Sequence, residues 1–384
     1  MSGLARRADI SKIVYVIADL LTLTSLLKML WGGADRSATA QWRRIFRSGW
    51  ISSELDGRIT IVHSLCVVPP AIRFIGEWVG ISFMNKLRIR QVRNLLDDIE
   101  FDNLVLWVSS PEHTAELVGR FGEQKVCYCL CEDYLEKHAP DSAYRKLLAA
   151  DDEYLTKRAD LLMVASRALF DKKKGLNRNT HLVPNGVANS EILGDALREA
   201  PKELEGIPHP IIGHFGLLGT YSETALVKRI AQAYPQASIV LIGPVQVGEN
   251  TRRLWENLPN VHLLGSRPAA LIPEYLSQFD VSLMLYSNTY QNVARDSMKV
   301  YHYLAAGKPI VSYSAAGADQ FADAIYLAHN QDHFVTLVGE ALSENSLELK
   351  EKRQTCAREN SWDIRVEQVH SLIKQELSKS PKGS

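Results

Sequence analysis

Twice along the chain, short apolar runs rich in β-branched and aromatic residues alternate with longer stretches of helical periodicity. That alternation restricts the chain to parallel sheets covered by helices. In the first series the pattern predicts strands over 13–17, 58–63, 104–109, 125–131, 161–165 and 180–184. Helices are expected between them, over 40–55, 83–99, 112–121, 142–158 and 166–174.

The stretch 200–210, with Pro201, Gly206, Pro208 and Pro210, reads as a linker, after which the series starts again. Strands are predicted over 211–214, 238–242, 261–264, 281–286 and 309–313, with helices over 223–233, 252–257, 271–278, 297–306 and 318–325. A chain of 384 residues exceeds one hydrophobic core, so two domains are the natural division. The expected layout is an α/β protein of two Rossmann-like domains, 1–199 and 211–360, joined by 200–210 and followed by a helix and tail over 361–384. Helices this late in such folds commonly pack back on the first domain.

The apolar run 13–31 follows Arg6 and Arg7 and has the look of a membrane anchor, but Asp19 and Lys28 interrupt it. A charge near a bilayer centre costs roughly 2.5–3.5 kcal/mol, so strand followed by helix is the better reading. The 44 basic residues balance the 44 acidic ones, which excludes a nucleic-acid partner on electrostatic grounds. Five cysteines spread through a long chain do not make the framework of a small secreted domain, and a cytoplasmic, reducing setting is expected.

The most informative segment begins at Asp296. Asp296 or Ser297 caps a helix whose first turn, Met298 and Lys299 included, offers free backbone N–H groups and the positive end of the helix dipole. A diphosphate fits there, with Lys299 adding a formal charge and His302 one turn further along the same face. Gly307 then ends the helix and Pro309 opens a buried strand. Three strands end in glycine turns able to line the same crevice: Gly213-His-Phe215-Gly216-Leu-Leu-Gly219, Gly243-Pro244 and Gly265-Ser-Arg267. Tyr286 closes the next strand. The predicted donor set is therefore Gly213, Phe215, Gly216, Gly243, Arg267, Tyr286, Ser297, Met298, Lys299 and His302.

The strand 125–131 runs directly into Glu132 and Asp133, two carboxylates at a strand end where a general base is useful. Glu132 and Asp133 are competing candidates for that base, the alternative being that both merely cap the helix that follows. Cys127, Cys129 and Cys131 share one face of that strand, but no fourth ligand or Cys-x-x-Cys spacing accompanies them, so they read as core. No metal site and no cofactor are expected. The stretch 72–96 mixes Phe74, Trp78, Phe83 and Met84 with Arg73, Lys86, Arg88, Arg90 and Arg93, which suits a helix on the inner face of an anionic membrane or one packed on the sheet.

The segment Ser297-Met-Lys-Val-Tyr-His-Tyr-Leu-Ala-Ala-Gly-Lys-Pro-Ile-Val311 resembles the donor-binding segment of GT-B glycosyltransferases, especially bacterial enzymes that build exopolysaccharide, capsule and teichuronic-type polymers. His181-Leu-Val-Pro-Asn-Gly-Val187, Leu241-Ile-Gly-Pro244, Pro259-Asn-Val-His-Leu-Leu-Gly265 and Phe279-Asp280 follow the same family in order. Asp296 to Lys299 is also similar to the matching segment of the glucuronosyltransferase of xanthan assembly. The resemblance implies two domains facing across a cleft, a nucleotide-sugar donor and a glycan or lipid-linked acceptor. It also implies that Glu132, four residues after Tyr128, holds the place of the catalytic base. Two features depart from the family's retaining members: His302 stands where a glutamate is usual, and the loop 287–295 carries no acid. A nucleotide-sugar epimerase of the same fold and an inactive nucleotide-sugar-binding partner are the alternatives. A nicotinamide enzyme is not, because neither half has a Gly-x-Gly-x-x-Gly turn with its acid.

Overall fold

The structure is a computed structural model. It describes residues 102–192, 199–219 and 221–379, the segments 13–22, 51–54 and 59–68, and scattered positions within 4–10 and 85–97. The chain divides into two compact units, one comprising Met1–Tyr128, His138–Leu162 and His370–Ser384, the other Cys129–Lys137 and Met163–Val369. The sequence places its boundary at 200–210 instead, because proline-rich composition marks a break in secondary structure and carries no information about which elements pack together.

In the first unit, β1 (Ile13–Thr22) pairs in parallel with β3 (Ile59–Val68), and β2 (Ile51–Glu54) pairs with β3 antiparallel. The expected helix over 40–55 is thus a strand at 51–54, the rest of it lying outside the described residues. Similarly β1 runs on to Thr22, with Asp19 opposite Leu65, where a helix was expected to begin. A second sheet takes the order β4 (Val105–Val108), β5 (Lys125–Leu130), β6 (Leu161–Val164), β7 (Thr180–Leu182). The helix expected over 112–121 is only a 3₁₀ turn, Ala115–Leu117. His113 before it and Gly119 and Gly122 after it have positive φ, which no helix propagates. The helix Ala143–Arg158 forms as expected, its first turn capped by Ser142 Oγ, which accepts from Arg145 N at 3.0 Å. Tyr128 donates to Asp152 of that helix at 2.9 Å, so a buried hydroxyl and a buried carboxylate satisfy each other.

Chain-terminal residues return to this first unit, as the late helical pattern suggests. In the helix Trp362–Ser378, Glu376 lies 3.4 Å from Lys125 of β5, both almost fully buried. His370 meets Asp9 at 2.9 Å.

The second unit carries a six-stranded sheet: β8 (Ile211–Phe215), β9 (Ser238–Ile242), β10 (Val261–Gly265), β11 (Val281–Met284), β12 (Ile310–Tyr313) and β13 (Tyr326–Ala328). All pairings are parallel and the order is β10-β9-β8-β11-β12-β13. Consecutive strand residues fall into different cores: Ile211, Val240, Met284 and Ile310 join one apolar cluster, while Ile212, Ile239, Leu283 and Val311 join another. A sheet buried on both faces explains why these strands read as unbroken apolar runs. Where a helix was expected over 318–325, Gly317 at φ 83° opens a short 3₁₀ turn, Ala318–Phe321, and the chain enters β13, which the sequence pattern does not predict.

The strand order reverses between β8 and β11, which are neighbours although two strands and their helices separate them in sequence. In open parallel sheets this reversal leaves a crevice outside the carboxyl ends of the two strands, and ligands bind there.

Candidate functional site

β8 ends at Phe215 and β11 at Met284, so the turns after them, from Gly216 and from Leu285, meet at the reversal. Gly216 has φ 111° and Gly243, after β9, has φ 131°, conformations that side-chain-bearing residues rarely adopt. A β-carbon on Gly243 would fall 2.3 Å from the carbonyl oxygen of Gly216, so the two turns touch backbone to backbone. Gly213 differs: it lies inside β8, and its missing side chain makes room for the Phe279 ring.

The helix Met298–Ala306 points its N-terminus at this crevice. Ser297 caps it, its Oγ accepting from Lys299 N at 3.3 Å and lying 3.1 Å from the Tyr286 hydroxyl. Lys299 Nζ sits 4.6 Å above the centre of the Tyr286 ring. A pocket here is lined by Leu217, Gly219, Tyr221, Ser222, Tyr286, Arg295 and Lys299. Four predicted donor residues, Gly216, Tyr286, Ser297 and Lys299, are thereby brought together. Met298 follows the cap and is exposed.

Asp296 fixes the helix start. Its buried carboxylate accepts from Asn185 N at 2.6 Å, from the Tyr301 hydroxyl at 2.9 Å and from Gln320 at 3.2 Å, and its own carbonyl accepts from Asn185 Nδ2 at 2.6 Å. Burial pushes its carboxyl above the usual carboxylate range, and the donors only partly offset this. Asn185, in the Pro184-Asn185-Gly186 stretch, therefore serves as a clamp on Asp296.

His302 lies one turn into the helix, with Nδ1 2.5 Å from Glu191 Oε2 and its ring edge-on to Phe215 at 5.5 Å. Phe215 N in turn donates to the Tyr303 hydroxyl at 3.1 Å. Arg267 is engaged elsewhere: its Nε donates to the Tyr275 hydroxyl at 3.0 Å and lies 3.3 Å from Glu203. Beneath the site, His214 is buried; its Nδ1–H donates to Leu283 O at 2.9 Å, and its Nε2 has no partner among the described residues. Burial and the nearby charge of Lys299 push it down to about 3, so it is neutral.

The carboxylate pair sits in the same compact unit as the pocket. Asp133 is nearly buried; its Oδ2 accepts from Lys172 at 2.6 Å, and its Oδ1 accepts from Leu135 N at 3.2 Å, starting the 3₁₀ turn Tyr134–Lys137. Glu132 is more accessible, with Lys137 Nζ at 2.7 Å and Arg295 Nη2 at 3.5 Å. The nearby Cys131 thiol is drawn down to about 7 by a hydrogen bond from Cys129. Among the described residues, no group of three or more His, Cys, Asp and Glu side chains is arranged to hold a metal ion. None of the described helices is long and apolar enough to cross a membrane. Most of 72–96 lies outside the described residues; positions 85, 86, 89, 90, 92, 93, 94 and 96 within it are helical.

Sequence reasoning missed Arg295, Tyr221 and Glu191. Arg295 had a legible signal, an arginine four residues before Lys299. The other two come from distant segments and have none.

Residues 220–349 match the family described as Glycosyl transferases group 1. The matched stretch runs through β9, β10, β11, β12 and β13 of the six-stranded sheet. The teichuronic acid biosynthesis glycosyltransferase TuaH of Bacillus subtilis is 27% identical over 237 residues, 59% of this chain and 59% of its own length. This chain thus spans less than two thirds of that relative. Sucrose-phosphate synthase from Thermosynechococcus elongatus superposes with a TM-score of 0.65 at 12% identity, covering 96% of this chain and all of the other. The Anabaena protein HepE in complex with UDP-glucose gives 0.63 at 14% identity, again over 96% of this chain and all of its own. At such identities the likeness establishes the fold, the GT-B fold of two Rossmann-like domains.

Proposed function

We propose that this chain transfers a sugar from a nucleoside-diphosphate donor to a glycan or lipid-linked acceptor in the synthesis of a cell-surface polysaccharide. The observation that carries the reading is the placement of Lys299 and the capped helix N-terminus at the strand-order reversal of a glycosyltransferase group 1 domain. The UDP-glucose in HepE and the polymer for which TuaH is named both accord with it.

In this reading the diphosphate occupies the pocket beside Lys299 and Tyr286. Glu132 removes the proton of an acceptor hydroxyl as that oxygen attacks the anomeric carbon. The bond from that carbon to the β-phosphate oxygen breaks, and the nucleoside diphosphate leaves with the bonding pair. Lys299 and the helix N-terminus meet the charge that develops, without a metal. Glu132 is favoured over Asp133 because Asp133 is nearly buried, held by Lys172 and committed to the turn after it. Tyr286 and Ser297 orient the phosphates, and His302 with Glu191 serves the nucleoside side. Contact of 72–96 with an anionic membrane would bring the enzyme to a lipid-linked acceptor. Flotation with anionic vesicles tests that part: binding that is absent, or unaltered by Arg88→Glu with Arg90→Glu, removes it.

The decisive assay follows release of nucleoside diphosphate from UDP- and GDP-sugars with and without a polysaccharide precursor as acceptor. Acceptor-dependent release is expected, with Lys299→Ala weakening donor binding and Glu132→Gln abolishing turnover while leaving donor binding intact. Release that ignores the acceptor would point to an epimerase or hydrolase, and full activity of Glu132→Gln would move the base elsewhere.

A further inference from the structure

Lys299 is not the only cation at the pocket. Arg295, one helical turn earlier in sequence, lines it as well. Its guanidinium stacks on the Tyr221 ring, 4.2 Å from the centroid, and its Nη2 stands 3.5 Å from Glu132 Oε2. Three separate contacts therefore place one planar cation between the donor pocket and the candidate base.

We infer that Arg295 is the second diphosphate cation of this enzyme, binding the phosphate next to the sugar and holding Glu132 beside the reacting carbon. This rests on the donor reading above. A nucleoside diphosphate carries more negative charge than Lys299 alone can balance, and the phosphate that leaves with the bonding electrons gains charge during the reaction. A guanidinium presents a rigid fork of donors matched to phosphate oxygens, whereas the ammonium of Lys299 acts as a point charge. Arg295 has the freedom to take this role: its pairing with Glu132 is long, and Lys137 already holds the other oxygen of that carboxylate at 2.7 Å. The Tyr221 ring keeps the guanidinium plane fixed while its edge remains available to an anion. Asp296, clamped by Asn185, Tyr301 and Gln320, anchors the backbone immediately after Arg295 and so sets where its side chain starts.

The contact is specific to the sugar-proximal phosphate, so it separates nucleoside diphosphates from monophosphates. Calorimetry on the full chain would measure UDP and UMP, with the GDP/GMP and ADP/AMP pairs alongside, and the pair that the wild type binds best is used for the variants. Arg295→Gln is expected to weaken the diphosphate roughly tenfold or more while leaving the monophosphate within about twofold, so the ratio between them collapses. Glu132→Gln keeps the ratio. An unchanged ratio in Arg295→Gln overturns the inference and leaves the donor reading standing. Failure of the wild type to bind any of the three diphosphates overturns both. Should Arg295→Gln lose the monophosphate too, as a misfolded protein would, Arg295→Lys decides. It retains charge without the fork, and an unaltered ratio there also overturns the assignment.

Discussion

Lys299 packs so closely on Gly216 that a β-carbon at position 216 would fall 2.2 Å from Lys299 Cε and 2.7 Å from its Nζ. The absent side chain is therefore part of how Lys299 reaches its place over Tyr286. Gly216→Ala should displace the lysine and also strain a backbone held at φ 111°. We expect nucleoside-diphosphate affinity to fall at least about tenfold and stability to fall by about 1–3 kcal/mol. Calorimetric titration and urea denaturation report the two effects separately; wild-type affinity in the alanine variant would show that Lys299 does not need this cradle.

Asp296 should matter to stability more than any exposed acid of this domain, because four hydrogen bonds converge on its carboxylate and carbonyl from Asn185, Tyr301 and Gln320. Asp296→Ala strands the three donors that reach its carboxylate, Asn185 N, the Tyr301 hydroxyl and Gln320 Nε2, and is expected to cost about 2–4 kcal/mol, while Asn185→Ala, which spares the Tyr301 contact, should cost about 1–2 kcal/mol. Urea midpoints of the two variants and the wild type test the order. Equal stability of Asp296→Ala and wild type would mean that the clamp is ornamental.

The helix start and the turns at this pocket were largely legible in the sequence because they are local. Helix capping by Ser297, the stop at Gly307 and the placement of Lys299 all follow from residues a few positions apart, and the glycine turns follow from strand ends. What could not be read were relationships between distant segments. Gly213 looks like the start of a ligand turn, yet it exists for Phe279, sixty-six positions on in the folded core. Arg267 looks like a phosphate ligand, but Tyr275 and Glu203 occupy its Nε. The strand order 10-9-8-11-12-13 is likewise invisible in a one-dimensional pattern that shows only alternation. Glycines with positive φ defeated the helix expected over 112–121, since helical periodicity says nothing about a backbone that has already turned.

His214 makes stability depend on pH. It is buried and neutral when folded, pushed down to about 3 by burial and by Lys299, whereas an unfolded histidine titrates near its ordinary 6.5. Between these values the unfolded chain binds more protons than the folded one, so stability falls as pH drops below about 6.5. The largest slope one such group can contribute is about 1.4 kcal/mol per pH unit. His214→Gln is expected to flatten the curve, with the gap between variant and wild type narrowing from pH 7 to pH 5. Urea midpoints at pH 7, 6 and 5 measure this; parallel curves would show that His214 does not carry the acid sensitivity.

The return of the chain terminus to the first unit rests on Lys125 and Glu376, which face each other at 3.4 Å with both side chains under a tenth exposed. Pairing two charges in a buried place contributes little net stability, but removing one partner leaves the other desolvated and alone. Glu376→Ala should therefore cost about 3–5 kcal/mol, well beyond what loss of its exposed contact with Lys379 explains. Replacing both residues with apolar ones of similar volume, Lys125→Met with Glu376→Leu, should recover most of that loss. Thermal and urea denaturation of the single and double variants form the test. A double variant no more stable than Glu376→Ala would mean that the ion pair itself holds the helix to β5, while a single variant as stable as wild type would mean that neither charge matters there.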